Sequence, residues 1–221
     1  MPRIRRIIVV GAGLHVMCRG NGKQFVFHCW EDKRHYYKLL LEHRANNFIK
    51  ILHYCLMNNH VHLLLWPQME SNVALFMQKV NLSYMQYFRK RYGLIGHLWQ
   101  GRYKSIIVDS ENYLVQCGKY VELNPVRGEL VSYPEEYGFS SYNVYAAGKK
   151  DPLVSMDPLY ERLGSDPAAR QRTYSDFVLD SRVMNQKSFS RRTILGSEDF
   201  VERMKEKIKQ LPLDQMVCGV P

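Results

Sequence analysis

Residues 49–66 have the sequence IKILHYCLMNNHVHLLLW, which contains the strongest strand pattern of the chain. Apolar and β-branched residues dominate both halves, which predicts two strands, Ile49–Met57 and His60–Trp66. The two asparagines between them tolerate positive φ angles and favour a tight hairpin turn. An antiparallel strand pair is therefore expected at the centre of the structure.

Strand and helix patterns alternate on both sides of this hairpin. Four segments are predicted there: a strand over 7–19, a helix over 32–47, a helix from Ser71 to the basic residues 89–91, and a strand over 103–108. A last core helix begins at Asp109 or Ser110, either of which can cap it. It ends near Asn124, because Pro125 discourages continuation. This order predicts an α+β fold, a ferredoxin-like antiparallel sheet with helices on one face.

The pattern weakens after residue 125, which suggests a second structural unit. Turn-forming residues collect over 146–152, and we expect a domain boundary near residue 150. Residues 1–150 then form the first domain, and residues 151–221 form a mostly helical extension. Its last helix is expected to begin at Ser197 and to carry Phe200 and Met204 at helical spacing.

The composition favours a basic protein with a polyanionic partner. Lys and Arg number 31 and Asp and Glu 21, which gives a net charge of +10. Such a charge favours nucleic acid, because each neutralised phosphate releases a counterion. The five cysteines have no metal-site or redox spacing, and no apolar run reaches the roughly 20 residues of a membrane helix. We therefore expect a cytoplasmic protein with no membrane association.

His60 and His62 flank Val61 directly after the asparagine turn. Side chains alternate along a strand, so the two imidazoles point to one face, about 7 Å apart. In that arrangement they can converge on one metal ion. The alternative is a pair of surface histidines on an ordinary strand.

Tyr113, Gln116, Tyr120 and Asn124 are spaced three or four residues apart and form one line on the last core helix. A tyrosine and an amide one turn apart suit a nucleophile and a metal ligand. The alternative is packing, because the chain has 15 tyrosines and a helical tyrosine is usually half-buried.

Several motifs together resemble one protein family. They are GLHV at 13–16 with RGN at 19–21, MNNHVHLLL at 57–65, GHLWQGRYK at 96–104, YVELNPVR at 120–127 and FSSY at 139–142. In this order they are similar to the REP-associated tyrosine transposases, which are single-tyrosine HUH enzymes. The resemblance spans roughly residues 1–145, and it departs from the family at Asn58, where proline is common. Asparagine still serves the turn.

The resemblance implies a function and a set of site residues. His60, His62 and Asn124 correspond to ligands of Mg²⁺ or Mn²⁺, and Tyr120 corresponds to the nucleophile. The family cuts and rejoins single-stranded DNA through a 5′-phosphotyrosine link. Its substrates are hairpins of repeated extragenic palindromes (REP), flanked by a guide tetranucleotide. Single-stranded hairpin DNA is therefore the expected partner, and the resemblance leaves monomer and homodimer both open.

Further residues are expected to contact the DNA. Arg19 and Asn21 belong to the turn after the first strand, while Trp99, Arg102 and Lys104 mix aromatic and basic groups near the predicted site. Such groups stack on bases and hold phosphates. The alternative is a packed Trp99 beside a solvated basic strand end.

Two other functions are compatible with parts of this pattern. A DNA-binding protein or repressor on the same fold would bind hairpins without cutting them, and only a covalent adduct distinguishes the nuclease from it. A small-molecule metalloenzyme would use the histidines but would leave the charge of +10 unexplained.

Overall fold

The computed structural model of the protein describes residues 8–111, 113–180 and 193–210. A five-stranded sheet with the order β2-β3-β1-β4-β5 forms its centre. Its strands are β1 (Gly13–Arg19), β2 (Ile49–Met57), β3 (His60–Pro67), β4 (Lys104–Val108) and β5 (Ile194–Leu195). The first four strands pair antiparallel, and the two-residue β5 is parallel to β4 at one edge. The predicted ferredoxin-like α+β fold is confirmed, with a short parallel strand added to it.

Two long helices cover one face of the sheet. Helices α1 (Trp30–Asn46) and α2 (Val73–Tyr92) bury an apolar stripe that includes Tyr36, Leu40 and Phe76. Opposite them, β3 contributes Val61, Leu63 and Leu65, as its alternation predicts.

The other face of the sheet carries the third core helix, so the predicted placement of the helices on one face is wrong, since a second apolar cluster lies on this face. Helix α3 (Leu114–Glu122) packs Leu114, Cys117 and Val121 against residues of β2 and β3 that include Leu64. Because His60 and His62 share the sheet face of Leu64, α3 crosses the same side as the histidine pair.

The remaining helices follow α3. They are α4 (Asn124–Arg127), α5 (Tyr142–Ala147), α6 (Pro167–Leu179) and α7 (Glu198–Gln210). Pro125 ends α3 as expected, but its fixed φ suits the first turn of α4, so the chain continues helically. The helical extension expected after residue 150 is present as α6 and α7.

Three predicted boundaries are wrong by a few residues. Strand β1 begins at Gly13 instead of residue 7, because residues 10–12 form a turn in which Gly11 has a φ of +85°. Helix α2 is capped by Asn72, whose side chain accepts a hydrogen bond from the Leu75 amide, and not by Ser71. Helix α3 begins four residues after Ser110, since a turn follows Asp109.

Contacts cross the predicted boundary at residue 150. The Asp151 carboxylate accepts hydrogen bonds from Tyr37 and Tyr54, and the Ser155 amide donates to the Ile51 carbonyl. The division into residues 1–150 and 151–221 stays a prediction. In the part of the chain described, no helix combines the length and apolar character needed to span a bilayer.

Candidate active site

The strand pairing between β1 and β3 brings three histidines onto one face of the sheet. Arg19 lies opposite His60, Met17 opposite His62, and His15 opposite Leu64. Opposed residues of an antiparallel pair point to the same side, so His15 joins the two predicted ligands. This cluster of imidazoles forms beneath α3.

Each of the two predicted ligands uses one ring nitrogen within the protein. The Nδ1 atom of His60 lies 2.5 Å from Asn59 Oδ1, and the Nδ1 atom of His62 lies 2.9 Å from His15 Nε2. These contacts engage Nδ1 of both rings, so Nε2 is the nitrogen that the predicted metal contact would use. Metal-binding histidines are commonly oriented in this way.

The electrostatics keep these histidines neutral. Burial, assisted by the charge of Arg19, lowers the pKa of His60 to about 4. Burial, followed by the neighbouring His15 and His60, lowers the pKa of His62 well below its ordinary value. A neutral imidazole keeps the lone pair that a metal ion requires, so both side chains are ready to bind a cation at neutral pH.

Tyr120 reaches the histidines from α3. Its ring stands perpendicular to His62, with centroids 5.8 Å apart, and nearly perpendicular to His15, at 5.7 Å. Burial raises the pKa of Tyr120, while the Arg127 guanidinium, 5.1 Å from the ring centre, acts in the opposite direction. The phenol is therefore protonated at rest and must lose its proton when it reacts. Tyr113 and Tyr120 both pack against the apolar cluster beneath α3, and it is Tyr120 that also contacts the histidine rings.

Asn124 is oriented by the helix on which it lies. Its Nδ2 donates to the carbonyl of Tyr120 at 2.8 Å and to that of Val121 at 3.1 Å. With Nδ2 engaged, Oδ1 is the atom that the predicted metal contact would use. Among the described residues no group of three or more His, Cys, Asp or Glu is arranged for a metal. Two imidazoles and an amide oxygen nevertheless suit Mg²⁺ or Mn²⁺, and imidazole is better matched to Mn²⁺.

A basic cleft continues from the histidines across β1. Lys104 pairs with Met17, which in turn pairs with His62, so the three side chains form a row on one face. The cleft has a volume of about 270 Å³ and is lined by Met17, Arg19, Gln100, Gly101, Arg102 and Lys104. Three of the five predicted DNA contacts therefore line one cavity beside the predicted ligands.

The family can now be assigned from sequence as well as geometry. Residues 9–124, more than half of the chain, match the model of the family described as IS200-like transposases. The chain belongs to this family. No curated protein sequence matches the chain significantly.

One of three similar solved structures shows the fold of this transposase. A REP-associated tyrosine transposase bound to a REP hairpin superposes with a TM-score of 0.55 and 17% identity, over 71% of this chain and 93% of the other. A candidate transposase of Deinococcus radiodurans has a TM-score of 0.39 and 18% identity, over 55% and 96%. A tRNA(His) guanylyltransferase of Saccharomyces cerevisiae has a TM-score of 0.43 and 10% identity, over 83% and 85%. Only the first likeness is close enough to show the fold.

Two predicted DNA contacts of the transposase lie away from the cleft. The Trp99 indole donates to the Asn81 carbonyl and lies about 6 Å from the rings of Tyr36 and Tyr84 on the α1–α2 side of the sheet. Asn21 lies in an exposed 3-10 turn whose amide donates to the Leu98 carbonyl. Packing, the alternative given above for Trp99, accounts for its position, and both DNA contacts stay predictions.

Two further polar groups of the transposase escaped the sequence analysis. His15 lies within a quoted motif, but only the pairing of β1 with β3 shows that it contacts His62. His53 bonds Glu122 on α3 at 2.9 Å and Asp157 at 3.2 Å, and all three side chains are buried. A lone histidine in β2 carries no local signal for partners 69 and 104 residues away.

Proposed function

We propose that this transposase is a metal-dependent endonuclease and strand transferase that acts on single-stranded DNA at hairpins of repeated extragenic palindromes. One observation carries the proposal. Tyr120 stands edge-on to His62, with ring centroids 5.8 Å apart, on the sheet face that holds both predicted ligands. A tyrosine that served only for packing would not need to face two neutral imidazoles.

The proposed reaction is the attack of the Tyr120 phenol on a phosphodiester of the DNA strand. The Tyr120 oxygen gives up its proton and forms a bond to the scissile phosphorus, while the bond from phosphorus to the 3′ oxygen breaks. The 3′ oxygen takes up a proton and becomes a hydroxyl. The 5′ phosphate stays on Tyr120 as a phosphotyrosine diester, which keeps the bond energy, so a 3′-hydroxyl of another strand can reverse the step.

The surrounding residues support this exchange. When bound at His60, His62 and Asn124, Mg²⁺ or Mn²⁺ supplies Lewis-acid polarisation of a phosphoryl oxygen. His60 and His62 offer their Nε2 lone pairs, held in place by Asn59 and His15. Arg127, whose Nη1 donates to the Tyr120 carbonyl at 3.3 Å, places a positive charge beside the phenol. That charge favours the phenolate formed during attack.

The basic cleft explains the choice of a nucleic acid strand. Arg19, Arg102 and Lys104 line it next to the histidine row, so they can hold the phosphates that flank the scissile one. The related structure of the same fold contains a REP hairpin, which supports hairpin DNA as the substrate of this chain. Unpaired bases beside a hairpin can be splayed and read, whereas those of a duplex cannot.

The test uses the full chain and a labelled DNA hairpin with a single-stranded flank. In Mn²⁺ we expect a shortened product and a protein–DNA adduct that survives denaturing electrophoresis, and neither in EDTA. The same sequence as a complete duplex should give little of either. Hairpin binding without any adduct in Mn²⁺ would contradict the proposal and support the non-cleaving DNA-binding protein.

A further inference from the structure

His15 is a buried histidine in the active site, and the reaction described above uses it only to hold the His62 ring. It occupies the middle of β1 and is only 3% exposed. Its ring lies edge to edge with that of His62 and nearly in the same plane, with centroids 5.1 Å apart and planes inclined by 11°. The ring of Tyr120 packs edge-on against the His15 ring, with centroids 5.7 Å apart.

The hydrogen bond between the two rings has a direction that matters. His15 Nε2 lies 2.9 Å from His62 Nδ1, and one of these nitrogens must donate while the other accepts. A histidine binds a cation as the neutral imidazole, and a neutral ring has one N–H. Only two arrangements of the protons then satisfy the contact.

The two arrangements differ in what His62 can bind. If His62 donates from Nδ1, its Nε2 has a lone pair and can bind a cation. If His15 donates from Nε2, the lone pair of His62 Nδ1 is used and its Nε2 carries a proton, which excludes a cation there. Whether His15 accepts or donates in this hydrogen bond therefore decides whether His62 Nε2 can bind a cation.

The second ring nitrogen of His15, Nδ1, argues against a role in packing alone. Its Nδ1 is buried and has no hydrogen-bond partner among the described residues. An unsatisfied buried polar atom costs about 1–3 kcal/mol, a cost that an apolar side chain would avoid. Such an atom calls for an explanation, and a role in orienting His62 supplies one.

We propose that His15 is the positioning residue of the metal site: its Nε2 accepts the Nδ1 proton of His62, which fixes the tautomer of His62 with Nε2 bare and holds its ring in place. This inference rests on the metal site of the proposed function. In many metal sites a carboxylate or a backbone carbonyl plays this part. Here a neutral imidazole does so, and its own proton lies on Nδ1.

The experiment compares two substitutions with a matched control. His15→Leu keeps an apolar side chain of similar size and removes the acceptor, whereas His15→Gln keeps an oxygen able to accept from His62. His43→Leu is the control, since the His43 Nε2 is also buried without a partner among the described residues but belongs to α1, on the opposite face of the sheet. Circular dichroism confirms that each variant is folded.

The first readout is the affinity of the DNA-free protein for Mn²⁺, measured by the electron paramagnetic resonance of the free ion. We expect His15→Leu to weaken binding roughly 10- to 100-fold, as loss of a group that orients a ligand commonly does. His15→Gln should retain most of the affinity, and His43→Leu all of it. Hairpin binding in EDTA should be the same for all four proteins.

The second readout does not depend on any variant folding. Long-range ¹H–¹⁵N correlations of the wild-type protein should show the proton on Nδ1 of both His15 and His62. A proton on His62 Nε2, or wild-type Mn²⁺ affinity in His15→Leu, would overturn the inference. These outcomes are distinct from failure of the proposed function. Wild-type protein that binds Mn²⁺ through this pair but forms no adduct would remove the function and leave the inference in place.

Discussion

At position 120 the ring and the oxygen have separate tasks. The ring packs between His15, His62 and the Arg127 guanidinium, while the oxygen is the proposed nucleophile. Tyr120→Phe keeps the ring, so we expect the variant to fold and bind hairpin DNA but to form no adduct. Tyr113 lies at the N-terminal end of the same helix, so Tyr113→Phe is the matched control and should cut. Mass spectrometry of the trapped adduct locates the nucleotide, and an adduct on Tyr113 would show that the wrong residue was chosen.

The histidine pair predicts a separation of cutting from binding. His60→Ala or His62→Ala removes a proposed metal ligand that would act on one phosphate, while the proposed DNA contacts are spread over the basic cleft. We expect cleavage to fall at least about 100-fold and the hairpin Kd to change little. Asn124→Ala should be milder, because water can replace a neutral amide oxygen. Single-turnover cleavage and gel-shift titration measure the two quantities, and wild-type cutting by His62→Ala in chelator would contradict the metal site.

The site residues differ in how far the sequence alone predicts their contacts. His60, His62, Tyr120 and Asn124 lie within motifs, and their spacing on a strand and a helix already indicates shared faces. The link between His15 and His62, which are 47 positions apart in the sequence, depends on the register of the two strands that carry them. Periodicity within one segment contains no information about that register.

At the scale of an element, helix α3 approaches the sheet closely at Gly118. A Cβ atom there would lie 2.6 Å from the His53 ring, which Glu122 and Asp157 hold from both sides. Gly118→Ala gains about 1 kcal/mol of helix propensity, but overpacking against a fixed ring costs up to about 3 kcal/mol. We expect a net loss of about 2 kcal/mol in urea unfolding. In a His53→Ala background the same substitution should be neutral or stabilising, and an equal loss in both backgrounds would exclude the contact as the cause.

The same cluster predicts how stability depends on pH. Burial alone would lower the pKa of His53, but hydrogen bonds and charges from Asp157 and Glu122 outweigh it and raise the pKa from 6.5 to about 9. Tyr145 on α5 stacks on the ring, and Tyr174 on α6 donates to Glu122. A pKa raised on folding stabilises fully below the unfolded value of 6.5, and the effect is lost as pH rises through 9.

We therefore expect the free energy of unfolding to fall by on the order of 3 kcal/mol between pH 6 and pH 10 from this residue. Urea titrations at intervals across that range measure the slope. Asp157→Asn removes one of the two carboxylates and should flatten it. An unchanged slope in Asp157→Asn would mean that other groups cause the pH dependence.

Strands and helices with strong local periodicity are predicted accurately from the sequence, whereas β1 and β5 are not, and the reason is physical. The strands 49–57 and 60–67 and helices α1 and α2 have strong local periodicity, and their predicted bounds are nearly those of the structure. The beginning of β1 was wrong because apolar residues 8–10 look like a strand but precede the left-handed Gly11. Strand β5 has only two residues, and its pairing with β4 is set by the tertiary structure.

At the scale of the molecule, the extension and the family region share one interior. Asp157 and Tyr174 contact the buried His53 and Glu122 pair, and Lys119 on α3 donates to the carbonyls of Phe177 and Asp180. In a chain ending at residue 150, the buried side chains of His53, Glu122 and Lys119 would lose these hydrogen-bond partners. We expect such a chain to lose its cooperative thermal transition.

A chain ending at residue 180 is the matched control. It keeps these contacts and should unfold cooperatively at a lower temperature, since it lacks the buried Leu195 and Phe200. Differential scanning calorimetry of both truncations separates the outcomes. A cooperative transition in the chain of 150 residues would support an independent domain ending there.

Both edges of the sheet are completed late in the sequence. The β2 edge meets residues 140 and 154, and the β4 edge meets β5. Strand β4 ends at residue 108, but its partner begins at residue 194. At about 5–20 residues per second, a ribosome takes on the order of several seconds to reach that partner. During this time the newly made strand presents unpaired backbone groups, which are the usual route to mispairing between nascent chains. The brevity of β4 and the charge of Lys104 at its start are features that limit such mispairing while translation continues.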